Sequence, residues 1–282
     1  MGSAASNTHR ARRHALCHGS GWPPDGENPA DRQREGRKEK RMEPGLDETV
    51  SVFYRTERAG ACRLSHGGGP FGFDITVALI AGDLITRYGC DAVAETGCFL
   101  GDTTAYLARR YPDLPVYSCD TDPGCAAFTA RRLRDYPNAI ITCEDSPRIL
   151  ARVNSGHERV LAFLDAHWGQ RWPLPEELDT LASAVVMIHD FDIGHARFSF
   201  DTYDGITCGP RVLAGMSRPP GRYFTLSPDA TWPAPCLQTG RRAGVGVISI
   251  GLDTGPRGAQ RRARPEFPAG AGAPPASSPP RP

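Results

Sequence analysis

The chain has 282 residues, 39% of them hydrophobic, with 31 glycines, 26 prolines and a formal net charge of +1. So little apolar content beside so much glycine and proline excludes uniform packing and implies an ordinary core flanked by segments that bury little. A near-neutral charge offers no global field to recruit nucleic acid or an anionic membrane, and neither is expected as a partner. No apolar run approaches the ~20 residues of a bilayer span, and Met1–Arg13 lacks an apolar stretch with a small-residue cleavage site. A soluble, cytoplasmic protein is expected. The nine cysteines are scattered, odd in number and without a CxxC pair, which fits reduced thiols packed as small hydrophobes.

Residues 1–45 are polar, with mixed charges at Arg32, Arg34, Glu35, Arg37, Lys38, Glu39, Lys40 and Arg41. Such a segment cannot offset its ordering entropy by burial, and a disordered tail is expected. Initiation at Met42 would omit nearly all of it. Residues 253–282, rich in Pro, Gly, Ala and Arg without period, read as a second flexible tail. One domain is therefore expected over 46–252.

Within it, Gly67-Gly68-Gly69-Pro70 reads as a plain turn before a helix over Ile75–Tyr88. Strands are expected at Ala92–Ala94, Val116–Cys119, Ala139–Cys143, Val160–Leu164 and Ala184–Ile188. Helices are expected over Thr103–Tyr111, Cys125–Tyr136, Arg148–Val153 and Pro175–Leu181. The strands are continuous apolar runs without alternation, as parallel strands covered on both faces require. Strand and helix alternating in this way predict an α/β fold, a doubly wound and mostly parallel sheet. Arg222–Leu226 and Val245–Ile250, with no helix between them, are candidates for an antiparallel pair at one edge, giving seven strands.

Ligands of such sheets bind beyond the carboxyl ends of the strands. The first such end is Glu95-Thr96-Gly97-Cys98-Phe99-Leu100-Gly101-Asp102. A pyrophosphate asks for G-x-G-x-x-G so that the backbone can close on it, but here Phe99 holds the middle position and Asp102 the helix start. Both oppose a dianion, and a cationic cofactor such as S-adenosylmethionine fits better. Asp120 ends the second strand, where a carboxylate can hold both ribose hydroxyls. Asp145 and Ser146, after the third strand, offer an acceptor and a hydroxyl for adenine.

These segments resemble class I S-adenosylmethionine-dependent methyltransferases, and among them the metal-dependent catechol O-methyltransferase-like group and bacterial natural-product O-methyltransferases. Glu95 to Gly101 is similar to that group's E-x-G-x-x-x-G turn, Asp120 to Ala127 to its ribose-binding segment, and Phe163-Leu164-Asp165-Ala166-His167-Trp168 to its F-L-D-H-W stretch with one residue inserted. The likeness spans about Asp74 to Asp192. It implies a Rossmann-like methyltransferase fold, with Glu95, Gly97 and Gly101 at the methionine part, Asp120 at the ribose, and Asp145 and Ser146 at the adenine. It also makes Asp165 and Asp190 ligands of Mg²⁺. The implied reaction is methyl transfer to a hydroxyl of a small molecule.

Two departures stand out. The group's Asn after the fifth-strand aspartate is Phe191, and the lysine after its tryptophan is Gly169. Asp192 and His189 are the alternatives for that ligand, although neighbouring strand residues point oppositely; His167 is the expected base. Trp168, Trp172 and Phe191 read first as core aromatics and second as a substrate wall. His157 and His195 read as surface residues. A non-catalytic cofactor-binding protein and a nicotinamide-dependent oxidoreductase remain alternatives. The methyl acceptor is not legible, and a homo-oligomer stays open.

Overall fold

The computed structural model describes residues 44–166 and 171–252. The two expected tails lie outside the described residues, apart from residues 44 and 45, and so does His167 with Trp168. The order of elements is α1 (Pro44–Arg55), a 3-10 turn (Pro70–Phe73), α2 (Ile75–Tyr88), β1 (Ala92–Thr96), α3 (Asp102–Arg110), β2 (Val116–Asp120), α4 (Pro123–Arg132) and β3 (Ala139–Cys143). It continues with α5 (Ser146–Gly156), β4 (Val160–Leu164), α6 (Leu174–Thr180), β5 (Ala184–His189) and the short strands β6 (Phe198–Ser199), β7 (Thr202–Tyr203) and β8 (Ile206–Thr207). It closes with α7 (Pro210–Ala214), β9 (Phe224–Thr225), β10 (Arg242–Ala243) and β11 (Val245–Ile250).

Seven strands form one sheet in the order β3-β2-β1-β4-β5-β11-β9. The first five are parallel, and β11 runs antiparallel to both β5 and β9. The expected edge pair is thus present, inserted so that β11 covers β5. Strands β1 and β4 are buried along their whole length, which explains the unbroken apolar run of β4 and of Ala92–Ala94 in β1. One face packs Phe53, Phe71, Phe73, Tyr106, Phe163 and Met187 with α1, α2 and α3. The other packs Ile149, Leu178, Val186, Ile188, Phe191 and Leu213 with α5, α6 and α7.

Local chemistry sets several boundaries. Asp74 caps α2 by accepting from the Thr76 amide at 2.9 Å, and Gly89, at φ 59°, closes it. Asp122 caps α4, accepting from the Cys125 amide at 2.9 Å with Pro123 in the first turn. That helix therefore starts two residues before the expected Cys125 and ends at Arg132, short of Tyr136. Helix α1 is absent from the sequence reading; it packs Phe53 against Phe73 and Tyr106, with Val50, Val52 and Tyr54 beside it. The glycine run is a turn, held by Arg58 donating to the carbonyls of Gly68 and His66, both at 2.7 Å. His157 is not a lone surface residue. Its Nε2 lies 3.0 Å from the Tyr117 hydroxyl.

Candidate functional site

β1 passes through Gly97-Cys98-Phe99-Leu100-Gly101 into α3. Gly97 and Gly101 have φ of 78° and 76°. A Cβ on Gly97 would lie 2.7 Å from the Asp165 carbonyl oxygen, and one on Gly101 would lie 2.6 Å from Thr129 Cγ2. Both positions therefore demand glycine in conformation and in space. Phe99 is also left-handed, at φ 45°, with its ring 64% exposed.

The amides of this turn are already spent. Gly97 and Cys98 donate to the Cys119 carbonyl at 3.0 and 2.8 Å, and Gly101 donates to the Cys98 carbonyl at 2.7 Å. The Phe99 amide donates to Asp120 Oδ2 at 2.9 Å, while Asp120 Oδ1 accepts from the Asp122 amide at 2.9 Å. A phosphate-binding nest needs such N–H groups converging on the ligand, and these four point into the protein. The glycine turn and the ribose-position acid are thus one hydrogen-bonded unit.

Asp102 requires a correction. Its Oδ1 accepts from Arg132 at 2.5 Å and from the Ala59 amide at 3.0 Å. Its charge is paired with Arg132, which weakens the opposition to a dianion that the sequence suggested. The exclusion of pyrophosphate rests on Phe99 and the occupied amides.

Glu95 is 3% exposed and takes hydrogen bonds from Thr104 and, at 2.9 Å, from Ser118. Burial outweighs those bonds and pushes its carboxyl up to about 8. Asp145 stands at the N-terminus of α5 and pairs with Arg171 at 2.9 Å. Ser146 is buried, and its hydroxyl serves Glu177 of α6, so the expected reading of adenine by the Ser146 side chain is not met. Glu177 is 1% exposed, raised to about 7 by burial, and one of its oxygens, Oε1, has no partner among the described residues. Nothing in the sequence singled it out, since an acid in a first helical turn is ordinary. Burial also pushes the Cys98 and Cys119 thiols up, the latter to about 12, and neither is a thiolate at neutral pH.

Beside this unit, β4 and β5 pair in parallel with Leu164 opposite Ile188. One residue further on, Asp165 and His189 meet side chain to side chain. His189 Nδ1 lies 2.7 Å from Asp165 Oδ1 and 3.3 Å from Asp190 Oδ2. Strand alternation predicted that His189 and Asp190 would diverge. They converge because β5 ends at His189 and Asp190 turns to φ 49°. Burial lowers the His189 imidazole, but the charges of Asp165 and Asp190 outweigh it and hold it well above its usual value. His189 Nε2 is buried without a partner among the described residues.

Phe191 is fully buried against Gly246 and Tyr223, so neither ligation nor a substrate wall is open to it. Asp192 is used in a turn, accepting from the Gly194 amide at 2.8 Å. Trp172 stacks on Tyr203 at 5.9 Å and lines a cavity of about 20 Å³ shared with Asp165, Glu177, His189, Asp201 and Cys208. Asp165, His189 and Asp190 offer ligand atoms within 4.8 Å of one another. Two carboxylates and an imidazole are a donor set that holds a divalent cation.

The strand order, closed by an antiparallel β11 between β5 and β9, is the arrangement of class I S-adenosylmethionine-dependent methyltransferases. No family model and no curated protein matches the sequence. Among solved structures the chain is similar to cofactor-bound Rv0187 from MTB, at 16% identity over 81% of this chain and 100% of that one, with a TM-score of 0.44. It is similar to an O-methyltransferase from Bacillus cereus in complex with SAH, at 14% identity over 78% and 97%, TM-score 0.43. It is also similar to an rRNA methylase from Streptococcus thermophilus, at 17% identity over 61% and 96%, TM-score 0.37. At such identities the likeness concerns the fold. No described helix is long and apolar enough to cross a membrane.

Proposed function

We propose that this protein transfers a methyl group from S-adenosylmethionine to a hydroxyl of a small molecule. The observation that carries the reading is the junction of glycine turn and strand-end acid, in which Phe99 donates to Asp120 at 2.9 Å. That turn has no amide free at Gly97, Cys98, Phe99 or Gly101 for a pyrophosphate. An adenosyl cofactor without phosphates asks for less. Asp120 retains lone pairs for both ribose hydroxyls, Asp145 lies at the next strand end, and Glu95, raised to about 8 by burial, ionises to meet the methionine ammonium as the cofactor arrives.

The reaction is an in-line displacement at the methyl carbon, so the residues must hold acceptor oxygen, methyl and sulfur in line and remove the hydroxyl proton. Asp165 closes β4 directly against Gly97 of the turn, so acceptor-side and cofactor-side groups share one cleft. A neutral hydroxyl is a weak nucleophile. The negative field of Asp165 and Asp190 favours a cation beside the acceptor oxygen. Asp165 and Asp190 would hold a divalent metal, which when bound supplies Lewis acidity that lowers the acceptor pKa. His167, the base read from the sequence, lies outside the described residues.

Calorimetric titration of the purified chain with S-adenosylhomocysteine and with NAD tests the assignment. Saturable binding of the former alone is expected; binding of NAD alone would replace the reading with an oxidoreductase. A radiolabelled methyl-transfer screen over phenolic, sugar and polyketide hydroxyls then finds the acceptor. Cofactor binding without transfer to any of them would favour a non-catalytic role.

A further inference from the structure

We infer that His189 is the third protein ligand of this centre, making Asp165, His189 and Asp190 a mixed nitrogen–oxygen site for a transition metal such as Mn²⁺ or Co²⁺ in preference to Mg²⁺. This deepens the proposed function, resting on its reading of Asp165 and Asp190 as the metal-holding pair. The position that resembles the third ligand of related enzymes is Phe191, whose ring is locked in the core against Gly246. The loss is made good one residue before the aspartate rather than one after it.

The geometry has three independent parts. Just past the last paired residues of β4 and β5, Asp165 meets His189, and the left-handed φ of 49° at Asp190 folds the second carboxylate back toward the same ring nitrogen. The donor separations of 2.7 and 3.3 Å from His189 Nδ1 bracket the spacing of about 3 Å between neighbouring ligands bound at ~2.1 Å. The adjoining cavity, about 20 Å³ and lined in part by Asp165 and His189, has room for one water as a further ligand.

His189 Nε2 is buried without a partner among the described residues, and Nδ1 is the ring nitrogen turned to the two carboxylates. Imidazole nitrogen favours later divalent metals, whereas Mg²⁺ prefers an all-oxygen shell.

Metal binding to the chelator-stripped full chain decides this without any activity assay. Mn²⁺ is followed by loss of its free-ion paramagnetic resonance signal, Co²⁺ by its visible absorption, and Mg²⁺ by competition with Mn²⁺. One Mn²⁺ or Co²⁺ per chain is expected, with affinity above that for Mg²⁺ by about tenfold or more. His189→Ala should weaken Mn²⁺ by roughly 10–100-fold. His189→Asn, which keeps an oxygen donor, should bind metal while narrowing the gap between Mn²⁺ and Mg²⁺. Both variants are checked for a cooperative thermal transition. No saturable metal binding, Mg²⁺ bound as tightly as Mn²⁺, or wild-type Mn²⁺ affinity in both variants overturns the inference. S-adenosylhomocysteine titrated into the same metal-free samples separates the failures. If it binds, only the metal centre falls; if it does not, the transferase reading falls with it.

Discussion

The proposed cofactor and acceptor halves of the cleft lie at the carboxyl ends of the parallel strands and are built by different means. The cofactor half comes from three contiguous strand–turn–helix units, at Glu95 to Asp102, Asp120 to Asp122 and Cys143 to Ser146. Asp120 is tied to the backbone amides of Phe99 and Asp122, and Glu95 to hydroxyls of the adjoining helix and strand. The acceptor half is gathered from afar. Asp165 meets His189 across a strand pair, Glu177 arrives from α6, and the segment after Asp190 is threaded back over the site. There the Asp201 amide donates to the Asp190 carbonyl at 3.0 Å and the Cys208 amide to the Asp201 carbonyl at 2.8 Å. Local hydrogen bonding makes the first half a preformed socket. The second half depends on the whole edge of the sheet, down to Gly244 and Gly246 making room for Phe191.

If the halves are functionally distinct, single substitutions should separate turnover from cofactor affinity. Asp165→Asn carries the largest expected effect. It removes a charge from the acceptor half and should cut methyl transfer by roughly 10²–10⁴-fold, leaving S-adenosylhomocysteine affinity unchanged by calorimetry. Equal activity in the variant would take Asp165 out of the chemistry. The reverse pattern is expected of Asp120→Ala, where losing hydrogen bonds to a charged acceptor should weaken cofactor binding by about 1.5–3 kcal/mol. Because Asp120 also accepts from the Phe99 amide, the alanine loosens the turn as well. Asp120→Asn keeps an acceptor for that amide, so comparing the two apportions the loss between ribose contact and turn geometry.

The same contrast governed what the sequence disclosed. Five strand runs, the turn glycines and the acids at three strand ends were legible because each depends on neighbours in sequence: unbroken apolar runs, a sign of φ, a cap. The β11–β9 edge was legible for the same reason. Strand alternation argues against His189 as a ligand, a rule that fails one residue past a strand end, where Asp190 leaves the extended region. Asp102 was misjudged because its partner, Arg132, lies thirty positions on and on another helix. Ser146 and Glu177 find each other through burial, which no local pattern announces. Helix α1 and the short strands β6 to β8 and β10 are held by tertiary contacts rather than by their own periodicity.

Gly97→Ala probes the seam between the halves. The new methyl meets the Asp165 carbonyl at 2.7 Å and Ala166 Cα at 2.8 Å, both backbone, at a φ of 78°. A loss of about 1–3 kcal/mol in unfolding free energy is expected, accompanied by weaker cofactor binding, since the methyl pushes the β4 end off the turn. A variant as stable as wild type in urea denaturation would mean that the two halves do not bear on each other there.

The smallest effect asks which half Glu95 serves. Its carboxyl is raised to about 8 by burial, against an ordinary value of 4.5. Between those values the unfolded chain has released the proton that the folded chain keeps. The folded state then binds more protons, and stability falls as pH rises across that window, levelling above it. Glu177, raised to about 7, adds a parallel slope below pH 7. Glu95→Gln should therefore reduce the pH dependence of the unfolding free energy below 7 and flatten the part between 7 and 8. Its advantage over wild type should widen with pH up to about 8. A carboxylate serving the cofactor's ammonium must ionise when the ligand arrives, so wild-type affinity for S-adenosylhomocysteine should rise over the same pH range while that of Glu95→Gln stays flat. Parallel pH profiles for the two proteins would make Glu95 a buried prop of β1, bonded to Thr104 and Ser118, and leave the cofactor half to Asp120 and the glycine turn.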